Sequence, residues 1–345
     1  MSECLYFSEQ ISFSSTAKIE HIRLFLANND LELDQQILRF VVFYRESDNQ
    51  IIACGGVAHN IIKCVAISPQ YRGTGLALKL ATELINLAYE LGYSRLFIYT
   101  KPENEALFSQ CGFFTISTAY PYLVLMENSK MRLQKYCNQL RNARKMGKKI
   151  GAIVMNANPF TLGHRYLIEQ AVSQCDYVHI FLVEEDASRY AYADRLRLLK
   201  KGIGDLRTAI IHPSSSYIIS RATFPAYFLK DQGLVDKCYM EIDLKLFRRY
   251  IAPTLGITHR FVGTEPFCQL TAAYNQNMHY WLEEAEMAAP PIKVVEIERK
   301  TYQGQAISAS IVRKLADQKN WQELSHFVPD STLSFLQGLA VQTQD

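Results

Sequence analysis

Residues 156–164 read NANPFTLGH and lie between an apolar run, Gly151–Met155, and a helical pattern, RYLIEQAV. A loop that joins a buried strand to a helix start exposes free backbone N–H groups and the positive end of the helix dipole, and so suits an anion. Gly163 permits close backbone approach. Thr161 offers a hydroxyl, and His164 can donate to a phosphate oxygen and stabilise charge as a phosphoryl bond breaks. Asn156 and Asn158 either position a nucleotide or turn the chain, and Phe160 belongs to the same loop. A merely capped turn would use many of the same residue types. A second stretch, ISASIVR at 307–313, sets Ser308 and Ser310 at a helix start with Arg313 in its first turn. Serines there are common N-caps, but hydroxyls with an Arg also suit a phosphate.

The two stretches together are more specific than either alone. Thr-x-Gly-His after a first strand, with Ile-Ser-x-Ser-x-x-Arg far downstream, resembles the nucleotidyltransferase superfamily that includes pantetheine-phosphate adenylyltransferases. The resemblance implies that Thr161 and His164 hold phosphates, that Ser308 and Ser310 lie near a triphosphate, and that Arg313 clamps it. It also implies that Val262–Glu265, including Gly263, Thr264 and Glu265, lines the adenine side. The reaction class would be attack on the α-phosphate of ATP with loss of pyrophosphate, catalysed by positioning and charge stabilisation and assisted by Mg²⁺ with no protein ligand assigned.

A third feature lies near the front. The stretch VAISPQYRGTGLALKL, 65–80, places Arg72, Gly73, Thr74, Gly75 and Ala77 between a strand and a helix, where consecutive N–H groups cradle a pyrophosphate. Together with NEALFSQCGF at 104–113 it resembles the GCN5-related acetyltransferase fold. That resemblance implies contacts with the pyrophosphate of a CoA-like arm from Arg72 to Ala77. Two departures stand out: residues 60–67, NIIKCVAI, offer no Glu base, and Phe108 stands where many members carry a Tyr acid. A thiol acceptor depends less on a strong base, because a free thiol of pKa roughly 8.5 is a few per cent thiolate at neutral pH. A cradle with no catalytic role is the alternative.

These residues need elements to place them. Stretches 38–46 and 51–69 read as antiparallel strands, 95–100 as another, and 76–92 as a helix with Ala77, Leu80, Ala81, Leu84 and Ala88 on one face and Gly92 as its stop. Residues 127–149 change character. From Lys130 to Lys149 there are eight Lys or Arg and no acid, and Leu133, Tyr136, Cys137, Leu140 and Ala143 fit an amphipathic helix. It reads either as a solvated linker or as a docking surface for an acidic partner. From 150 onward strands at 151–155, 177–183, 208–214, 259–265 and 292–299 alternate with helices, which argues a doubly wound parallel sheet that binds ligands at its carboxyl ends. The expected organisation is an α/β chain: an acetyltransferase-like domain with a mixed, largely antiparallel sheet at 1–127, a basic linker helix at 128–149, and a nucleotidyltransferase domain with a Rossmann-like sheet at 150–345.

At 345 residues two domains are expected. A net charge of +3 gives no global argument for nucleic acid. The eight Cys form no Cys-x-x-Cys pair, which argues against zinc. The polar start MSECLYFSEQ is unlike a signal peptide, and no run approaches the roughly 18 apolar residues of a membrane helix. The expectation is a cytoplasmic protein with reduced thiols.

A domain that adenylates, joined to one that holds a CoA-like arm, suits activation of a carboxylate followed by transfer to a thiol. The combination resembles the citrate lyase ligase family over essentially the whole chain. The resemblance implies ATP-dependent acetylation, from acetate, of the phosphoribosyl-dephospho-CoA thiol on the citrate lyase acyl-carrier (gamma) subunit, with AMP and pyrophosphate as products. Arg221 and Lys230, in SRATFPAYFLKD, are candidates for holding a small carboxylate or a phosphate, or are ordinary charges of a surface helix. Two other readings stand beside this one: a nucleotide or pantetheine-phosphate adenylyltransferase with an accessory acyl-CoA-binding domain, and a non-enzymatic nucleotide sensor.

Overall fold

The apolar run before NANPFTLGH is a buried strand at the centre of a parallel sheet. The computed structural model describes residues 5–184, 188–219, 224, 227–229, 231–264 and 269–342, without the side chains of 269–271 and 342. Arg221, Lys230 and Glu265 lie outside the described residues. The chain divides into two compact units, Met1–Lys135 with Pro225–Ile242, and Tyr136–Phe224 with Asp243–Asp345. The sequence reading set no break inside 150–345, whereas a downstream segment packs with the first unit.

The first unit runs β1 (Tyr6–Ser12), α1 (Thr16–Ala27), β2 (Arg39–Arg45), β3 (Ile51–Ala58), β4 (Ile61–Ile67), α2 (Leu76–Glu90), β5 (Phe97–Thr100), α3 (Glu105–Gln110), β6 (Phe114–Ala119) and β7 (Leu123–Glu127). Its sheet has the order β1-β2-β3-β4-β5-β7-β6. Most neighbours pair antiparallel, as the short alternating runs indicate, but β4 and β5 are parallel and pair only at Ile61↔Phe97 and Ile62↔Ile98. Beyond that point Cys64 takes a φ of +53°, and the β3–β4 register shifts between Cys54 and Gly56. A bulge of this kind turns a strand away from its neighbour. The helix α2 buries Leu76, Leu80, Leu84, Leu87 and Ala88 on the sheet, the face its spacing indicates.

The second unit takes most of α4 (Arg132–Arg141), then β8 (Ile150–Met155), α5 (Leu162–Gln174), β9 (Tyr177–Leu182), α6 (Tyr192–Gly202) and β10 (Ala209–His212). After α7 (Gln232–Leu246), a π-helical turn and α8 (Ala252–Leu255) come β11 (His259–Gly263), α9 (Gln269–His279) and β12 (Lys293–Ile297). A small hairpin, β13 (Thr301–Tyr302) with β14 (Gln305–Ala306), precedes α10 (Ala309–Asp317), α11 (Trp321–Leu324) and α12 (Asp330–Gln342). The sheet order is β10-β9-β8-β11-β12, with every pair parallel. The order reverses between β8 and β11, so a crevice opens at their carboxyl ends. The expected basic linker helix stops at Arg141. Residues 142–149 leave the helix because other bonds hold their backbone: Asp176 Oδ2 accepts from Lys148 N and Lys149 N at 2.7 and 2.9 Å. Among the described residues no helix is long and apolar enough to cross a membrane, and Cys54, Cys64, Cys111, Cys137, Cys175 and Cys238 are free thiols.

Candidate active site

Thr161 is extended and N-caps α5. Its hydroxyl accepts from His164 N at 3.3 Å, and its own N–H donates to His164 Nδ1 at 3.1 Å, closing a capping box in which an imidazole takes the place usual for Glu or Gln. A backbone N–H can only donate, so Nδ1 is an acceptor and the ring carries its proton on Nε2. Burial, then the nearby Arg299 charge, lower the His164 pKa to about 4. The imidazole is therefore neutral at ordinary pH and offers an N–H, not a positive charge. Phe160 is fully buried, with its ring stacked on His164 at 5.8 Å.

His164, Thr161 and Gly163 line a 130 Å³ pocket with Gly263 at the end of β11, Ile297–Lys300 at and beyond the end of β12, and Ile307–Ala309 at the start of α10. Gly163 serves this convergence. A Cβ there would stand 2.8 Å from the carbonyl oxygen of Ile307, so the glycine lets α5 and the segment before α10 meet. Ser308 caps α10, its hydroxyl accepting from Ile311 N at 3.3 Å. Two helix N-termini thus face one pocket, and Arg299 and Lys300 line it as well, so the potential there favours a polyanion. Arg299 Nε donates to Thr264 O at 2.7 Å, while Thr264 N donates to Ile297 O at 2.9 Å, fixing the β11 and β12 ends to each other. A 510 Å³ opening bounded by Gln303–Ala306 and Ile311 shares Arg299 and Ser308 with the pocket.

The remaining candidates lie outside the pocket lining. Arg313 donates to Asn158 O at 2.6 Å and to Ser310 Oγ at 3.2 Å, tying α10 to the loop. Asn158 Oδ1 accepts from Tyr190 N at 3.2 Å. Asn156 accepts through O and Oδ1, both at 2.7 Å, from Arg195, a fully buried residue of α6 that also donates to Val183 O and Tyr190 O. Sequence reasoning missed Arg195, Arg299 and Lys300. Arg299 and Lys300 follow directly on β12, so the rule that ligands meet the carboxyl ends of parallel strands is the signal that points to them. Arg195 carries no such signal, because the Asn156 acceptors it holds lie 39 residues away in sequence.

In the first unit, Gly73 and Gly75 take φ of +80° and +83°, which only glycine adopts freely, and Gly75 caps α2. Arg72 through Gly75 are exposed and Ala77 is half-buried. Arg72 Nε donates to Ile67 O at 3.2 Å, and Thr74 Oγ1 donates to Tyr71 O at 2.7 Å. Where β4 and β5 part, a 370 Å³ cleft opens beside Arg72, lined by Val65–Ile67, Ile98–Thr100 and Phe108. Tyr227 and Phe228, from the downstream segment, line it too. The Tyr227 hydroxyl donates to Tyr99 O at 3.4 Å, and burial holds its pKa well above the usual phenol range.

The family model for the citrate lyase ligase C-terminal domain matches residues 150–336, and that for the acetyltransferase (GNAT) family matches 3–113. Citrate (pro-3S)-lyase ligase of Haemophilus influenzae is 58% identical over 95% of this chain and 98% of its own length. The chain belongs to the citrate lyase ligase family. It is an enzyme of the ligase class. Family members of the same name from Escherichia coli and Klebsiella pneumoniae are 56% and 54% identical, covering 96% and 93% of this chain and 93% of each relative. Both sites fall inside the ligase match or the acetyltransferase match, apart from the Tyr227 wall, which comes to the first unit's cleft from within the ligase region.

Proposed function

We propose that this chain is a cytoplasmic ligase that uses ATP to activate acetate and passes the acetyl group to the thiol of the CoA-like prosthetic group on the citrate lyase acyl-carrier subunit. The observation that carries the reading is the meeting of two helix N-termini, the His164 imidazole, Arg299 and Lys300 in one pocket at the switch point of a parallel sheet. The names of the family's curated members supply citrate (pro-3S)-lyase as the protein acted on.

In the first step an acetate oxygen attacks the α-phosphorus of ATP, and the bond to the β-phosphate bridging oxygen breaks with its electron pair leaving on pyrophosphate. Donors placed where that charge develops lower the barrier without reorganising. His164 Nε2–H, Arg299, Lys300, Ser308 and the N-terminus of α5 take this role, and Ser310 extends the hydroxyl set. Arg313 and Asn158 hold the two phosphate-binding segments together, and Gly263 and Thr264 border the nucleoside side. Among the described residues no group of three or more His, Cys, Asp or Glu can hold a metal ion. Glu298 is the carboxylate of the pocket lining. Mg²⁺ entering with ATP would neutralise phosphate charge there, and Glu298 is the lining residue that would help to hold it. In the second step the prosthetic-group thiolate attacks the acetyl carbonyl, a thioester forms, and AMP leaves. The cleft between β4 and β5, with the Arg72–Ala77 cradle, holds the arm.

The test is isotope exchange between pyrophosphate and ATP, run with and without acetate, followed by addition of deacetylated carrier and a search for thioester. Acetate-dependent exchange and a new thioester are expected. Exchange that ignores acetate but responds to a mononucleotide or to phosphopantetheine would replace this reading with that of an adenylyltransferase.

A further inference from the structure

The basic run that closes α4 is a built surface. Leu133, Cys137 and Leu140 bury one face of the helix, and the chain then turns out through residues 142–149, of which 144–149 are all exposed. Two anchors within the second unit hold this loop. Arg144 donates to Pro253 O and Thr254 O at 3.2 and 3.5 Å. The Asp176 carboxylate accepts from the backbone N–H groups of Lys148 and Lys149, and Asp176 N donates back to Lys149 O at 2.8 Å. Gly147 belongs to the same arrangement, since a Cβ there would lie 2.8 Å from Asp176 Cβ. Between the anchors Met146 is 89% exposed, flanked in sequence by Lys145, Lys148 and Lys149.

An exposed methionine alone is ordinary. A methionine at the crest of a backbone pinned on both sides, among cations and with no acid from 130 to 149, is a different object. Its pinning lowers the ordering cost of binding, its charges steer a partner of opposite sign, and its thioether adapts to an apolar counterpart. The loop precedes the amino end of β8, whereas the phosphate pocket lies at the carboxyl end of that strand, six residues and roughly 20 Å away. An occupant of the loop reaches the pocket only through an extended arm, which is what a carrier protein with a CoA-type group possesses.

We propose that the pinned loop around Met146, with Lys145, Lys148 and Lys149, is the docking surface for an acidic carrier protein that presents its thiol on a long arm. The identification of this partner rests on the proposed function, while the binding itself can be read without any turnover.

The experiment titrates the full-length chain with deacetylated citrate lyase carrier subunit, without ATP or acetate, at low and at physiological salt. The triple charge reversal K145E/K148E/K149E should weaken binding at least tenfold and flatten its salt dependence, and Met146→Glu should weaken it several-fold. Both variants should keep the wild-type melting temperature and the wild-type rate of acetate-dependent ATP–pyrophosphate exchange. Carrier binding unchanged by both variants would overturn the proposal, and so would a loss matched by an equal loss of exchange or of thermal stability. Absence of exchange in the wild type, with charge-dependent carrier binding intact, would count against the proposed activity and leave the docking surface standing.

Discussion

His164 is a hydrogen-bond donor because of how it is capped. The Thr161 N–H occupies Nδ1, the proton sits on Nε2, and burial with Arg299 nearby brings the pKa down to about 4. An imidazolium catalyst would lose activity as the pH rises through about 6.5, whereas a neutral donor does not. The pyrophosphate exchange rate should therefore stay level from roughly pH 5.5 to 8.5 apart from effects of the substrates. His164→Ala should lower the rate by about 10²–10³-fold, the cost of one preorganised donor. A pH profile that falls with a midpoint near 6.5 in the wild type, and loses that limb in His164→Ala, would show the ring acting as a cation instead. Gly163 permits an equally sharp expectation. Alanine in a helix is normally favoured over glycine by about 1 kcal/mol. Here the added Cβ meets a backbone oxygen at 2.8 Å, so Gly163→Ala should lower the melting temperature and weaken ATP binding. A more stable Gly163→Ala protein would remove the close approach from the account.

At the scale of elements, the parallel sheet brings two histidines together that no motif announces. His179 on β9 and His212 on β10 are buried, with Nδ1 and Nε2 2.8 Å apart. Burial lowers both pKa values to about 4 from the ordinary 6.5, and for His179 the His212 ring and then the Lys145 charge add to the cost of charging it. The unfolded chain thus binds protons that the folded chain refuses. Their contribution to stability is whole above about pH 6.5 and is lost as the pH falls toward 4. Replacing both with Leu should flatten that part of the acid limb in urea titrations, on the order of 1–3 kcal/mol per imidazole. An unchanged limb would assign acid sensitivity to other groups. The alternation of strands and helices from residue 150 was legible because period and turn residues are local signals, and so was serine capping at the start of α10. The end of α4 at Arg141 was not, since the apolar spacing continues to Ala143 and the bonds that stop the helix come from Asp176, Pro253 and Thr254. Arg195 was invisible for the same reason: four acceptors spread over Asn156, Val183 and Tyr190 meet only in the fold.

At the scale of the whole molecule, sequence and contacts divide the chain differently. The acetyltransferase match ends at residue 113, yet the first unit also takes Pro225–Ile242. This segment is a wall of that unit. Glu32 N donates to Tyr227 O at 2.9 Å, Ser117 Oγ donates to Ile242 O at 3.4 Å, and Tyr227 and Phe228 are both buried along the cleft. Burying each aromatic ring contributes about 1.5–3 kcal/mol, a large share of the 5–15 kcal/mol that holds a typical domain. A fragment of residues 1–135 should therefore unfold at clearly lower urea than the same fragment joined by a flexible linker to 225–242. It should also bind a hydrophobic dye where the cleft is stripped of its wall. The longer fragment should recover stability by several kcal/mol, and Tyr227→Ala within it should remove part of that gain. Equal urea midpoints with and without 225–242 would mean that the first 135 residues complete their own core and that the downstream segment only rests on it.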